Sequence, residues 1–250
     1  MGAIEGPAWE WVGSGSPRIR VAGHSHSQAL RYAMERLDPS EKALVAVLDV
    51  AAEPLLADDT YWPVVASTGR PVVVLWNGNQ PNVVFMMSDD PITVIGPRGV
   101  LSEPIGRVIP YSMVKALWNP WLADLIQFLE GHPDPSLVTL LGTPPPKAEA
   151  EVRAGIAIEP YFVDLLAAQD LTPDTAPIVD TATRVATWDA LQERMAEVAA
   201  DFGMRFLPVP PEAHAADGTL PPQLSGPDAT HANPDYGLMM WRHLIKELVD

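Results

Sequence analysis

Nearly continuous apolar runs alternate along this chain with stretches in which apolar residues return every three or four positions. Arg18-Ile19-Arg20-Val21-Ala22 reads as a short strand ending at Gly23. From Ser27 the spacing of Leu30, Ala33, Met34 and Leu37 is helical, and Pro39 closes it. Ala43 to Val50 and Pro71 to Trp76 are apolar almost throughout, the pattern of strands buried on both faces. Asn77-Gly78-Asn79 stops the second of these. Leu137 to Leu141 is a further buried strand, broken by Gly142-Thr143-Pro144-Pro145-Pro146, and Met204 to Leu207 is a last short one. Helical patterns cover Ser112 to Glu130 with an interruption at Pro120, then Pro160 to Gln169, Ala186 to Phe202 and Asp235 to Val249. Glu53 to Ser67 is ambiguous between helix and loop. Val83 to Met87 and Ile92 to Ile95 flank the turn Ser88-Asp89-Asp90-Pro91, which suggests a hairpin or covering loop outside the main sheet.

Strands alternating with helices predict an α/β protein with a parallel sheet of about five strands, covered on both faces. Such sheets carry functional loops at the carboxyl ends of their strands. Gly23-His24-Ser25 follows the first predicted strand, Asn77-Gly78-Asn79 the third, and Asp228-Ala229-Thr230-His231 the fifth. All three therefore fall on one edge. There is no internal repeat. Residues 1–17 are aperiodic and read as an N-terminal extension, and residues 18–250 as a single domain.

Composition narrows the function classes. The chain has 250 residues, 47% hydrophobic and 19% charged, which is ample for a large core. Sixteen Lys plus Arg against 32 Asp plus Glu give a formal net charge of −16, a surface that repels nucleic acid and anionic membranes. There is no cysteine, so disulfides, thiol catalysis and cysteine-based zinc sites are excluded. No apolar run approaches the ~20 residues of a membrane span, and the N-terminus has no signal-peptide pattern. The expectation is a cytoplasmic protein without a cofactor.

Asp228 and His231 stand three residues apart on one short turn. An acid at that distance can hold one imidazole nitrogen and leave the other free as a base, which lacks only a nucleophile. Ser25, on a strand-to-helix turn after Gly23, can supply it; the alternative is that Ser25 only caps the helix. Asn79 can donate its amide to an oxyanion or simply serve the turn. His26 and Gly78 are candidate substrate contacts. His24 and His26 also form an H-x-H pair suited to a metal-dependent amidohydrolase, but that barrel needs eight strands and further ligands at later strand ends. Gly23-His24-Ser25-His26-Ser27 departs from the G-x-S-x-G nucleophile elbow, since Ser27 stands at the last glycine and little chain precedes it. His132 is expected in a surface loop, and His214 in the proline-rich loop near the site.

Taken in order, Val21-Ala22-Gly23-His24-Ser25, Val72 to Asn79 and Asp228-Ala229-Thr230-His231 resemble the sequence blocks of the SGNH, or GDSL-type, hydrolases. The resemblance spans about Arg18 to Val249. It implies a flavodoxin-like, three-layer α/β/α sandwich over residues 18–250, with Ser25 as nucleophile, His231 as base and Asp228 as its partner. It further implies an oxyanion hole from the Ser25 N–H, a second-block backbone N–H and the Asn79 side chain. Two departures stand out: His24 replaces the usual Asp, and the second-block glycine is missing, leaving Ala51 or Ala52 to offer that N–H. The implied activity is hydrolysis of an acyl ester, for instance an acetyl ester, of a small molecule or carbohydrate. Acyl transfer or a non-catalytic binding role on the same scaffold are the alternatives.

Overall fold

A computed structural model describes residues 9–50, 60–76, 86–88, 92–95 and 106–249. Its centre is a six-stranded sheet built from β1 (Trp11–Gly13), β2 (Ile19–Gly23), β3 (Val45–Leu48), β4 (Val72–Leu75), β7 (Val138–Leu141) and β8 (Arg205–Leu207), in the order β1-β3-β2-β4-β7-β8. The last five are mutually parallel, and β1 runs antiparallel along β3, with Trp11 opposite Leu48. Numbered among themselves, the parallel strands follow the order 2-1-3-4-5 of flavodoxin-like sheets, whose topological switch lies between the first and third. Here that is the crevice between β2 and β4.

Alternating side chains along these strands feed two cores. Ile19, Val21, Val45, Val47, Val73 and Leu75 face α1 (Ser27–Ala33) and α9 (Pro234–Leu248). Ala22, Leu48, Val72, Val74, Val138 and Leu140 face α3 (Tyr61–Ala66), α4 (Tyr111–Leu117), α5 (Ala123–Gly131) and α8 (Thr181–Asp201). The result is a three-layer α/β/α sandwich, as the patterning and the resemblance both predict. A third, smaller cluster joins Val152 and Ile156 of α6 (Glu149–Ile156) to Phe162 and Leu166 of α7 (Pro160–Ala167), with Met86, Ala176 and Ala229. A short α2 (Pro39–Lys42) leads into β3.

Several elements differ from the sequence reading. Part of the N-terminal extension, 11–13, is a strand of the main sheet. Ile92 to Val94 (β5) pairs in parallel with β6 (Arg107–Ile109), in a two-stranded sheet outside the main one. Of the run Val83 to Met87 only Met86 and Met87 are described, and Met87 bridges Ile178. The helix expected from Ala186 begins five residues earlier because Asp180 caps it, its side chain accepting the Thr183 N–H at 2.9 Å. The pattern Ser112–Glu130 resolves into α4, a 3-10 turn at Pro120–Leu122 and α5, so Pro120 does interrupt it.

Candidate active site

Gly23 ends β2 in contact with β4. A Cβ there would lie 2.5 Å from the Leu75 carbonyl oxygen, so the strand end tolerates only glycine. The buried Tyr61 hydroxyl accepts the Gly23 N–H at 2.9 Å and donates to the Gly23 carbonyl at 3.1 Å. Ser27 N–H closes onto the His24 carbonyl (2.8 Å) and Gln28 N–H onto that of Ser25 (3.0 Å), starting α1 immediately after the turn. The residue capping α1 is His26, with no side-chain bond, so Ser25 does not spend its hydroxyl on the helix.

The hydroxyl goes elsewhere. Ser25 Oγ lies 2.9 Å from His231 Nε2, and His231 Nδ1 lies 3.1 Å from Asp228 Oδ2. The other carboxylate oxygen, Oδ1, accepts the backbone N–H of His231 at 2.6 Å and of Thr230 at 2.8 Å. The spacing of three residues thus has a local cause. Asp228 folds its own turn through Oδ1, as Asp does in Asx turns, and that turn delivers the imidazole to Oδ2. Burial works to raise the Asp228 pKa, but the hydrogen bonds from the His231 ring and from the two backbone N–H groups outweigh it. The carboxyl is held well below its ordinary range. The turn is shut by Gly226 N–H to the His231 carbonyl at 2.8 Å. Asn233 then caps α9, accepting from Asp235 and Tyr236 N–H while donating to the Gln223 and Ser225 carbonyls.

Ser25, Asp228 and His231 are therefore brought together. His26, expected to touch substrate, is 3% exposed and lies with its ring 4.6 Å from that of His231. Burial first, and then the neighbouring His231, push its pKa well below the ordinary histidine value. His24 turns the other way, into an aromatic group with Trp76 (4.9 Å) and Trp62 (5.2 Å), where burial lowers its pKa to about 4. The two rings of the H-x-H pair thus pack in different surroundings. Among the described residues no group of three or more His, Asp or Glu side chains is placed to share a metal ion. Asn79, Gly78 and Ala51 lie outside the described residues, as does Ala52.

The remaining histidines are placed as follows. His132 is not a surface residue. It is 7% exposed, packs edge-on against Phe128 and accepts the Asp134 N–H at 3.1 Å. His214 lies edge-on against Trp188, with ring centroids 5.4 Å apart. On the side to which His24 turns, a cavity of about 740 Å³ is lined by His24, Trp62, Trp76, Asp124, Gln127 and Phe128, and Ser25, Asp228 and His231 are not among its lining residues. Sequence reading passed over Trp62 and Trp76, although Trp76 ends a buried strand at the functional edge. No helix among the described residues is long and apolar enough to cross a membrane.

No protein-family model matches this chain, and no curated protein does. Solved structures resemble it at low sequence identity. One, provisionally described as a platelet activating factor from Streptococcus pneumonia, is 12% identical, with a TM-score of 0.50 over 95% of this chain and 86% of that one. A variant of an acetyl-xylooligosaccharide esterase from Geobacillus Stearmophilus is also 12% identical, with a TM-score of 0.39 over 96% of both chains. The first likeness bears on the fold alone.

Proposed function

We propose that this chain is a serine esterase acting through an acyl-enzyme. The observation that carries the reading is the unbroken hydrogen-bonded row Ser25–His231–Asp228, at 2.9 and 3.1 Å, at the carboxyl edge of the sheet. With Nδ1–H donating to Asp228, Nε2 is free to take the Ser25 proton as Oγ attacks the ester carbonyl carbon. Asp228 is already ionised and stabilises the imidazolium that forms. The Ser25 N–H, for which no described residue is an acceptor, is available to the oxyanion. Asn79, with the N–H of Ala51 or Ala52, is assigned to the same task from the sequence. Collapse of the tetrahedral intermediate breaks the ester C–O bond, and His231 returns its proton to the departing alcohol. Water then attacks the acyl-serine, giving a proton to Nε2 that restores Ser25 as the carboxylic acid leaves. The substrate class proposed is a small-molecule or carbohydrate ester.

The test is covalent. A p-nitrophenyl alkylphosphonate is expected to add one phosphonyl group to Ser25 of the wild type and none to Ser25→Ala, whose ester turnover falls about 10⁴-fold or more. Prior treatment with a chelator leaves both results unchanged. Label on Ser27 would move the nucleophile. Ester turnover without any label, or turnover lost to the chelator and restored by a divalent ion, would sink the reading.

A further inference from the structure

Lys147 follows the three prolines that leave β7 and is 2% exposed. A buried ammonium is costly unless its protons are taken up by acceptors. Its partners are two backbone carbonyls, Gly226 at 2.8 Å and Asp228 at 2.5 Å. Both belong to the turn that carries the acid and the base. The Lys147 backbone is fixed in its own right. Its carbonyl accepts from Arg184 Nη1 at 2.5 Å, and the residue bridges Leu220 in parallel register. Arg184, itself 2% exposed, donates through Nε to the Val179 carbonyl (2.9 Å) and through Nη2 to Thr181 Oγ1 (3.1 Å) at the start of α8. A chain of bonds therefore runs from α8 through Arg184 and Lys147 to the carbonyl of Asp228.

The opposite side of the turn is held by packing. Ala229 is 3% exposed among Val152, Ile156 and Phe162. Gly155 of α6 makes room for it, since a Cβ there would overlap Ala229 N. Ala229 N–H also donates to Glu159 Oε2 at 3.4 Å, and Gly226 N–H closes onto the His231 carbonyl. Lys147 adds two bonds from one ammonium to carbonyls two residues apart, one of them the carbonyl of Asp228 itself.

We propose that Lys147 is a positioning residue for the Asp228–His231 pair, holding through the Gly226 and Asp228 carbonyls the orientation in which His231 Nε2 meets Ser25. This rests on the serine-esterase reading above. A misplacement of about 1 Å in such a pair costs on the order of 10²-fold in rate.

The test compares wild type with Lys147→Met, which keeps the length of the side chain and removes its donors, and with Lys147→Gln, whose uncharged amide keeps N–H donors. Four quantities are read well below each protein's Tm: the rate of Ser25 phosphonylation by the p-nitrophenyl alkylphosphonate, kcat and KM on p-nitrophenyl acetate, and the downfield Nδ1 proton resonance of His231. In Lys147→Met, phosphonylation and kcat are expected to fall about 10- to 100-fold with KM little changed, and the His231 resonance to shift or broaden. Lys147→Gln falls between the two. If Lys147 serves only the fold, Tm drops while the rates and the resonance of the folded variant match wild type, and the inference is overturned. Turnover by wild type without label at Ser25 overturns the serine reading itself. Label on wild type with an equal rate in Lys147→Met overturns this inference alone. Should Lys147→Met fail to fold, Lys147→Gln decides the matter by the same criteria.

Discussion

His24 and His26 stand two positions apart and meet opposite demands. His26 supports the face of the imidazole that bonds Ser25 and stays neutral there, so it adds no positive charge beside His231 when that ring takes up a proton. His24 is enclosed by Trp62 and Trp76, and burial lowers its pKa from 6.5 to about 4. The unfolded chain binds a proton at His24 at a higher pH than the folded chain does. The resulting stability is fully present above about 6.5 and is lost as pH falls from there to about 4, a term on the order of 3 kcal/mol. His26, shifted in the same direction, adds to it. Asp228 has the same sign in a lower window: its depressed carboxyl pKa loses its contribution only below the ordinary carboxylate range. The Tm of the wild type is therefore expected to decline between pH 6.5 and pH 4, and that of His24→Phe to decline less. Thermal melts across this interval check it, and parallel curves for the two proteins would show that His24 is not buried as a neutral ring.

At the scale of elements, the site depends on how α1 meets α9, because Ser25 lies two residues before the start of one and His231 three before the start of the other. The two helices touch where Gly237 faces Ala29, and a Cβ on Gly237 would overlap the Ala29 carbonyl oxygen. Trp241 Nε1 donates to the Leu30 carbonyl at 2.8 Å beside this contact. Gly237→Ala is expected to cost about 1–3 kcal/mol by overpacking, and to lower kcat in the folded protein by parting Ser25 from His231. Denaturant melts with kinetics at low temperature check both effects. An unchanged midpoint would show that the helices separate freely. The buried strands, α1 and α9 were legible because each carries its own signal, an unbroken apolar run or a helical period ending in a cap. The Asp228–His231 spacing was legible for the same reason, since both residues lie on one turn. Other elements carry no such signal. β1 and β6 are three residues each and exist through pairing with distant segments. α6 was missed because only Val152, Gly155 and Ile156 of its eight residues are buried. Lys147 and Arg184 escaped because a cation in a sequence suggests solvent, and only tertiary structure shows the carbonyls that bury it.

For the whole molecule, the added strand β1 covers the outer edge of β3, which would otherwise offer unpaired backbone groups. Removing residues 1–17 is expected to lower Tm and to cause concentration-dependent association, seen by size-exclusion chromatography. The net charge of −16 opposes that association, so added salt, which screens it, should strengthen it. A shortened chain that stays monomeric at high salt with the wild-type Tm would show that β1 protects nothing. The turn that holds Asp228 and His231 raises a different matter, that of entropy and time. It is closed on itself by Gly226 and His231, seated on Ala229 and capped into α9 by Asn233. Its conformational freedom is given up once, when the chain folds, and not again for each substrate molecule. With Ser25, His231 and Asp228 acting as proposed, groups ordered in this way meet every encounter already in register, so the search that remains in each turnover belongs to the substrate.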